Sequence, residues 1–393
     1  MAVEPIRWRS VWGLAILQGA VSLSWLIYNL YLPRLLGELG FAEGFALQLV
    51  ALEQGIGALV EPIAGGVSDR LRQWLGSHFL VVAGGVAIAA ALFVGVPAVG
   101  VLGRAGLRWG AVTWIALWAI AMAAFRAPAL ALLANYASPP QWPAAMGAVT
   151  LVGGLVGALR PVTTPFWLGL GPGVAFAVGS LALVGAMLAL RRYQPEPLAG
   201  PIAVAFPWRS LPVLGRLALV GAATAWALRL LMGNVVPAIA ERYGSDELMP
   251  IWLGLAGFLL AVAAWPAGKI TAHFGVRGTV AIAAGVSAAG FGLLPMAQGP
   301  FLAFPVGLGL LAGVGTVFNG GIPLALQGVT AAWGSLAVGM YFGGFSGAMA
   351  VFGWVWPQGP DLATAHLMGA IALAGVGSLT FTVPRWPAQR EEG

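Results

Sequence analysis

The chain has 393 residues, of which 60% are hydrophobic and only 8% are charged, and its mean hydropathy is +0.89. Soluble domains carry about 25% charged residues, so this composition excludes a soluble globular protein and predicts an integral membrane protein. The net charge of +6 does not indicate nucleic-acid binding, because membrane topology explains basic residues at helix ends. With no cysteine and three scattered histidines, we expect neither a metal nor a cofactor.

A helix that spans a membrane needs about 20 apolar residues. Proline, glycine and charged residues divide this chain into about twelve such stretches. We therefore predict an all-α membrane protein with spans near residues 11–36, 45–66, 79–101, 110–134, 143–165, 170–190, 213–238, 249–270, 278–297, 300–327, 332–356 and 362–382.

The basic residues support this threading, because cytoplasmic loops carry an excess of Lys and Arg. With both termini in the cytoplasm, twelve of the nineteen basic residues fall on inner segments and four in outer loops. We expect this topology in a bacterial inner membrane. The inner residues are Arg7, Arg9, Arg70, Arg72, Arg191, Arg192, Arg209, Arg216, Lys269, Arg277, Arg385 and Arg390, and the outer ones are Arg34, Arg104, Arg108 and Arg242.

A break in the apolar pattern divides the chain in two. Residues 191–212 contain five prolines and read as a cytoplasmic linker. The sequence thus predicts an N-terminal six-helix half over residues 1–190 and a C-terminal six-helix half over residues 213–393.

The two halves echo each other after their second helices. Gly65-x-x-x-Asp69-Arg70 follows the second span, and a stretch from Gly268 to Arg277 follows the eighth. A glycine before a short charged turn lets two helices approach closely while the charges cap their cytoplasmic ends. We predict a gating motif formed by Gly65, Asp69, Arg70, Gly268 and Arg277.

Two carboxylates, Glu53 and Glu61, lie within one predicted span. A charge at mid-bilayer costs at least about 2.5 kcal/mol, so an acid there is a candidate functional residue. Glu53 is expected to bind a proton or a substrate hydroxyl; the alternative is a structural residue that is either permanently protonated or paired with arginine. Glu61 is expected either to take part in proton coupling or to belong to a gating charge network with Asp69 and Arg70.

Arg126, Arg160 and Arg229 also fall inside spans, where each guanidinium needs a neutralising partner. The most economical pairing joins Glu53 to Arg126 or Arg229, which would let a proton or substrate compete for the carboxylate. An anionic substrate is the other explanation. We place all three arginines with the glutamates in a proton-coupling or central-cavity site.

The motif after the second span, its echo and the 6+6 layout resemble the major facilitator superfamily over essentially the whole chain. That resemblance implies two parallel halves with substrate bound near the midplane between them. Three stretches resemble a finer branch, the sucrose and glycoside-pentoside-hexuronide cation symporters. They are Tyr28-Asn29-Leu30-Tyr31-Leu32-Pro33, Leu52-Glu53-Gln54 through Arg70, and Arg126-Ala127-Pro128 through Asn135.

The finer resemblance has one consequential departure. The branch implies an acid at the end of the fourth helix that serves proton coupling, and this chain has Asn135 there. An amide cannot carry a proton in that role, and this departure supports the alternative of a membrane assembly factor that transports nothing.

Sugar recognition needs hydrogen-bonding groups for hydroxyls and an aromatic face for the ring. The alternative for an aromatic residue such as Trp25 is a place in the belt at the membrane interface or in helix packing. The substrate-binding candidates are Trp25, Tyr28, Asn29, Gln54, Asn234, Asn319, Gln327 and Tyr341.

These features predict a secondary active transporter, not an enzyme, that moves a small polar solute such as a sugar or glycoside together with protons. The expected partners are that solute, protons and the lipid bilayer, with no nucleic acid, and the protein is expected to be a monomer. Two alternatives stay open: efflux of a hydrophobic or anionic compound, and a membrane assembly factor with the same fold that transports nothing. The glycine pairs at Gly153-Gly154 and Gly343-Gly344 predict close helix crossings, since no phosphate-loop Lys-Ser/Thr follows them.

Overall fold

The computed structural model describes residues 5–102, 108–195, 205–206, 208–244 and 246–384. Arg104, Arg385, Arg390 and linker residues 196–204 and 207 lie outside the described residues. All regular structure in the described ranges is helical, which confirms the predicted fold class. The helices are α1 (Trp8–Glu38), α2 (Phe45–Leu75), α3 (Phe79–Leu102), α4 (Arg108–Ala131), α5 (Trp142–Ala158), α6 (Arg160–Arg192), α7 (Leu211–Leu230), α8 (Val236–Tyr243), α9 (Met249–Phe274), α10 (Val276–Leu293), α11 (Pro300–Gln327), α12 (Gly334–Val355) and α13 (Leu362–Thr382).

Eleven helical stretches in the described residues are long and apolar enough to cross a membrane. A twelfth span is obtained when α6 is divided at Gly171, whose φ of 76° and ψ of 159° interrupt the helix. Glycine reaches this backbone conformation without the steric penalty of a side chain, and Pro172 follows directly. Residues 160–170 therefore belong with α5 as the fifth span. The helix is interrupted at Gly171, close to the boundary between the predicted fifth and sixth spans.

A π-helical turn joins α7 to α8. It covers Leu231–Val235, immediately before Pro237 of α8. Proline lacks the N–H that an α-helical ladder needs. A π-helical turn at this point lets the helix continue past the missing hydrogen bond. Helices α7 and α8 consequently form one membrane-length segment, Trp208–Tyr243.

We call α1–α6 the N-half and α7–α13 the C-half, and we name the inner end after the predicted topology. The halves meet along two seams: α2 packs on α12, and α5 packs on α9. Glycines make these seams close. A Cβ added to Gly65 would overlap the carbonyl of Ser335, and one added to Gly268 would overlap the carbonyl of Pro143.

The glycine pairs behave as predicted from the sequence. A Cβ at Gly154 would press on Ala261 of α9, and one at Gly343 would press on Pro62 and the Ala58 carbonyl of α2. Small residues at both seams bring helix backbones into contact, which is how helices associate where there is no hydrophobic driving force between them.

The described part of the linker touches the inner end of the α2–α12 seam. The indole nitrogen of Trp333 donates to the carbonyl of Ala205 at 3.1 Å, and Phe206 packs against Trp333 with ring centroids 5.3 Å apart. The linker is thus fastened to the turn that precedes α12.

Candidate functional site

An ion pair lies near the middle of the structure, between Glu61 of α2 and Arg126 of α4. Glu61 is 16 residues into a helix of 31, about 24 Å along it at 1.5 Å per residue. The carboxylate is 1% exposed. Ser346 of α12 completes the group, since its hydroxyl donates to Glu61 Oε1 at 3.1 Å and accepts from Arg126 Nη2 at 3.2 Å. One hydroxyl of the C-half therefore holds both charges of the N-half.

The surroundings of this pair explain its position. The guanidinium carbon of Arg126 lies 4.3 Å from the ring centroid of Phe342, a cation–π contact one helical turn from Ser346. Gly57 lies one turn before Glu61, and a Cβ there would be 3.5 Å from the Ser346 hydroxyl. Helix α12 can approach Glu61 closely because residue 339 has no side chain: a Cβ at Gly339 would overlap the Glu61 carbonyl.

Glu53 has a different partner from the arginines expected from the sequence. It is 6% exposed, and its Oε1 accepts a hydrogen bond from the hydroxyl of Tyr28 at 2.5 Å. Oε2 has no hydrogen-bond partner among the described residues. Tyr28 packs on Trp118 with ring centroids 4.5 Å apart, and Trp25 packs on Trp118 at 4.8 Å. Glu53 thus sits in an aromatic environment of the N-half, away from the arginines.

The reason for the different pairing is helix geometry. Glu53 and Glu61 are eight residues apart, about 80° around α2. Glu61 faces α4 and α12, whereas Glu53 faces α1. A pairing argument based on charge balance alone could not distinguish these directions.

Polar side chains form a stripe along α1. Gln18, Ser22, Trp25 and Asn29 recur at spacings of four, three and four residues, which places them on one face of a helix. All four are half-buried. The amide of Asn29 donates to the carbonyl of Trp25 at 2.7 Å, so the Asn29 side-chain oxygen stays available as an acceptor. Gln54 of α2 is half-buried as well.

The inner end of the α2–α12 seam is closed by Asp69. Its two carboxylate oxygens accept hydrogen bonds from the backbone N–H groups of Ser335 and Leu336, at 3.1 and 2.8 Å. These are orphan donors at the start of α12, so an acid from the N-half caps a helix of the C-half and complements its dipole. Asp69 is fully buried.

His78 and Arg72 lie around Asp69 at the inner end of the seam, and the sequence analysis selected neither as a site residue. His78 Nε2 lies 3.5 Å from Asp69 Oδ1, and its Nδ1 lies 3.0 Å from the hydroxyl of Ser68. Burial lowers the pKa of His78 to about 3, so the ring is neutral. Arg72 donates to the carbonyl of Ala331 in the C-half at 2.8 Å. A histidine three residues beyond the end of α2 carried no spacing signal that could have identified it.

The other predicted residues of the gating motif are spread over the inner surface. Arg70 is exposed, and Arg277 is half-buried at the start of α10. Gly268 makes the close approach to α5 described above. Ala272 stands where an acid would cap α5. Before that helix, the backbone N–H of Ser138 donates to the side-chain oxygen of Gln141 at 3.4 Å across a 3-10 turn, Pro139–Gln141.

The C-half substrate candidates lie on α11, on α12 and in the π-helical turn before α8. The amide of Asn234 donates to the carbonyl of Pro360 at 2.8 Å, and Tyr341 is fully buried beside Gly321. Asn319 joins the halves, since its side-chain oxygen accepts from the Thr150 hydroxyl at 3.0 Å. Gln327 ends α11.

Arg160 and Arg229 lie apart from the two glutamates. Arg160 is exposed at the start of α6, and Arg229 of α7 is exposed with its guanidinium carbon 5.4 Å from the ring of Phe352. Neither forms a salt bridge with a carboxylate of the described residues. Within the same ranges, no group of three or more potential ligands could hold a metal ion.

The comparisons with known proteins support the fold. Neither a protein-family model nor a curated protein matches the sequence. Among solved structures, a bacterial homologue of the iron transporter ferroportin in its outward-facing state has a TM-score of 0.76 and 14% identity, over 96% of this chain and 99% of that one. The major facilitator superfamily transporter FucP in its outward conformation has a TM-score of 0.66 and 14% identity, over 95% of this chain and 99% of that one. The E. coli fucose:proton symporter FucP, in a variant form, matches with the same TM-score and identity.

These likenesses show that the chain has the major facilitator superfamily fold. They do not support the finer assignment to the sucrose and glycoside symporter branch.

Proposed function

We propose that the protein is a secondary active transporter that moves a small polar solute by alternating access, in symport with protons. The observation that carries this proposal is the ion pair between buried Glu61 and half-buried Arg126. Its charges belong to the N-half, and the hydroxyl that both contact, Ser346, belongs to the C-half. A bundle with only a structural role has little reason to place a charge pair at the meeting of its two halves, because burying charges is costly.

The pair can act as a switch between the halves. Protonation of Glu61 would cancel its charge and leave the guanidinium of Arg126, whose side chain is 23% exposed, with only Ser346 and Phe342 as partners. A largely desolvated cation that loses its carboxylate partner is destabilised, so more water or a solute must then reach the guanidinium. Opening of the α2–α12 seam provides that access, which ties the protonation of Glu61 to the movement of the halves.

Glu53 is suited to carry the transported proton. Its Oε2 is buried and has no hydrogen-bond partner in the part of the chain that the structure describes, and an unpaired buried charge is costly. The sealed site therefore accommodates Glu53 as the protonated acid, with Tyr28 donating to Oε1. When water enters, the ionised form is stabilised and the proton can leave. Glu53 would thus take the role of the acid that is replaced by Asn135 in this chain.

The solute would be recognised from the N-half. The α1 stripe offers amide and hydroxyl groups beside the aromatic ring of Trp25, and Gln54 adds a further amide, as sugar hydroxyls and a sugar ring require. Among the C-half candidates, Asn234 and Asn319 already have hydrogen bonds to other parts of the structure. We propose a sugar or glycoside as the solute class.

The structure corresponds to a state closed at the inner end. In the described ranges, the hydrogen bonds between the halves lie at mid-depth or on the inner side, through Asp69, Arg72, Arg126 and Asn319. A transporter in this state would be ready to receive solute from outside. It would act as a monomer in a bacterial inner membrane, with both termini in the cytoplasm.

A second candidate, transport of an amphipathic anion, is favoured by the aromatic wall beside Arg126. Phe342 packs on Phe345 at 6.3 Å, and Phe345 packs on Phe318 at 6.2 Å. A carboxylate could compete with Glu61 for the guanidinium while an apolar group lies against these rings.

Counterflow in proteoliposomes tests the proposal. Vesicles loaded with unlabelled solute are diluted into trace labelled solute, for a panel of monosaccharides, disaccharides, glycosides and organic anions. We expect accumulation of one polar solute, and none in the Arg126→Gln variant, which loses the positive charge. Accumulation of an anion would favour the second candidate. No counterflow with folded protein, together with a partner that co-purifies in stoichiometric amount, would establish the assembly-factor alternative.

The Glu53→Gln variant separates coupling from transport. A glutamine can still accept from Tyr28 but cannot release a proton, so we expect counterflow to persist while uphill uptake driven by a pH gradient is lost. Glu241→Gln, which changes an exposed acid near the end of α8, serves as the control. Uphill uptake at the wild-type rate in Glu53→Gln would remove Glu53 from the proton pathway.

A further inference from the structure

Three tryptophans from both halves converge at the inner end of the bundle. Trp265 of α9 packs on Trp8 with ring centroids 5.6 Å apart and on Trp12 at 5.7 Å, the second pair being stacked. Trp8 and Trp12 are 36% and 39% exposed. Since α9 is held against α5 through Gly268 and Gly147, these rings lie where α1 and α9 both pack on α5.

A positive charge stands at the inner edge of these rings. The ammonium of Lys269, one turn after Trp265, lies 5.2 Å from the Trp265 ring centroid and is exposed. Arg7 and Arg9 flank Trp8 and are exposed too. Among the described residues on the inner side, the only carboxylate is Asp69, which is buried in the other seam. The described residues therefore supply no acid that complements this charge.

We propose that this cluster of Trp8, Trp12, Trp265 and Lys269 binds an anionic phospholipid of the inner leaflet. The phosphodiester would lie at Lys269, and the indole rings would pack beside the glycerol region, where tryptophan is favoured in membranes. Basic pockets between helices on the cytoplasmic side bind such headgroups. Because the rings come from both halves, the bound lipid would hold the inner ends of α1 and α9 together. This inference does not depend on the identity of the transported solute.

Native mass spectrometry of purified protein titrated with phosphatidylglycerol or phosphatidylcholine tests the site. We expect wild-type protein to prefer phosphatidylglycerol, and Lys269→Gln to weaken that binding about fivefold, the effect of one basic residue at a lipid surface. Lys269→Arg, which keeps the charge, should bind as wild type does. Arg209→Gln is the matched control, since Arg209 is an exposed inner arginine beside the exposed Trp208.

Three results would overturn the proposal. Equal binding of both lipids by wild-type protein would show that there is no headgroup preference. A loss in Arg209→Gln as large as in Lys269→Gln would show a diffuse surface charge effect. Full displacement of the lipid by inorganic phosphate would indicate a site for free anions. Each variant is first checked for an unchanged melting temperature, and Lys269→Arg keeps the test valid if Lys269→Gln is unstable.

Discussion

Replacing Asp69 by Asn should shift the protein toward a state that is open at the inner end. The carboxylate caps two N–H groups at the start of α12, and an amide has one acceptor oxygen and no charge. An acid at a helix N-terminus contributes up to about 2 kcal/mol in partly buried geometry. The ratio of inner-open to inner-closed protein should therefore rise by about 5- to 30-fold.

Electron–electron resonance distances between two spin labels would measure this shift. The chain has no native cysteine, so Trp74→Cys and Phe274→Cys would carry the only labels. These positions are 84% and 74% exposed at the inner ends of α2 and α9. We expect Asp69→Asn to add a longer distance component, together with slower turnover and little change in solute affinity.

Asp361→Asn provides a matched control. Asp361 also caps a helix, accepting from the Thr364 backbone N–H at 3.0 Å, but both partners belong to the C-half. These hydrogen bonds lower the pKa of Asp361, so its charge is also present at neutral pH. If Asp69→Asn and Asp361→Asn gave the same distance distribution as wild type, the proposed role of Asp69 in closing the inner seam would be refuted.

Two further substitutions test the same seam. Gly65→Ala would push a methyl group into a backbone carbonyl of α12 and should cost about 1–3 kcal/mol of stability, measured as a lower melting temperature. The control is Gly37→Ala, whose methyl group would face open space and should leave the melting temperature unchanged. Equal melting temperatures for the two variants would contradict the close crossing. Burial holds the pKa of His78 near 3 in the folded state, against about 6.5 in the unfolded state. Below about pH 6.5 the unfolded state therefore binds a proton that the folded state does not, and the free energy of unfolding falls by about 2 kcal/mol between pH 7 and pH 5. His78→Gln should lessen the drop in melting temperature between pH 7 and pH 5, while His273→Gln, at an exposed site, should leave it unchanged; equal drops would contradict the burial argument.

The span positions could be predicted from the sequence because they depend on local signals. Gly171 and Pro172 interrupt an apolar stretch, and the backbone breaks there. Asp69 could likewise be selected, since the glycine four residues before it and the arginine after it form a recognisable pattern. Its partners could not, because Ser335 and Leu336 are more than 260 residues away in the chain.

The partners of the buried charges depended on tertiary packing. The sequence showed two acids and three arginines within spans, but only the packing of α2 against both α4 and α12 pairs Arg126 with Glu61. The C-half amides show the same limit: Asn234 satisfies a loop carbonyl that no local pattern indicates. Polarity within a span identifies a residue that needs a partner, and the fold decides which partner it has.

Proton uptake tests the account most directly. Wild-type proteoliposomes are suspended in weak buffer, and the external pH is recorded while sugars, glycosides and organic anions are added one at a time. We predict that one polar solute makes the medium more alkaline, and that the signal is absent in Glu53→Gln. An unchanged pH with every solute, for folded protein that shows counterflow, would contradict proton symport and assign the protein to uncoupled transport.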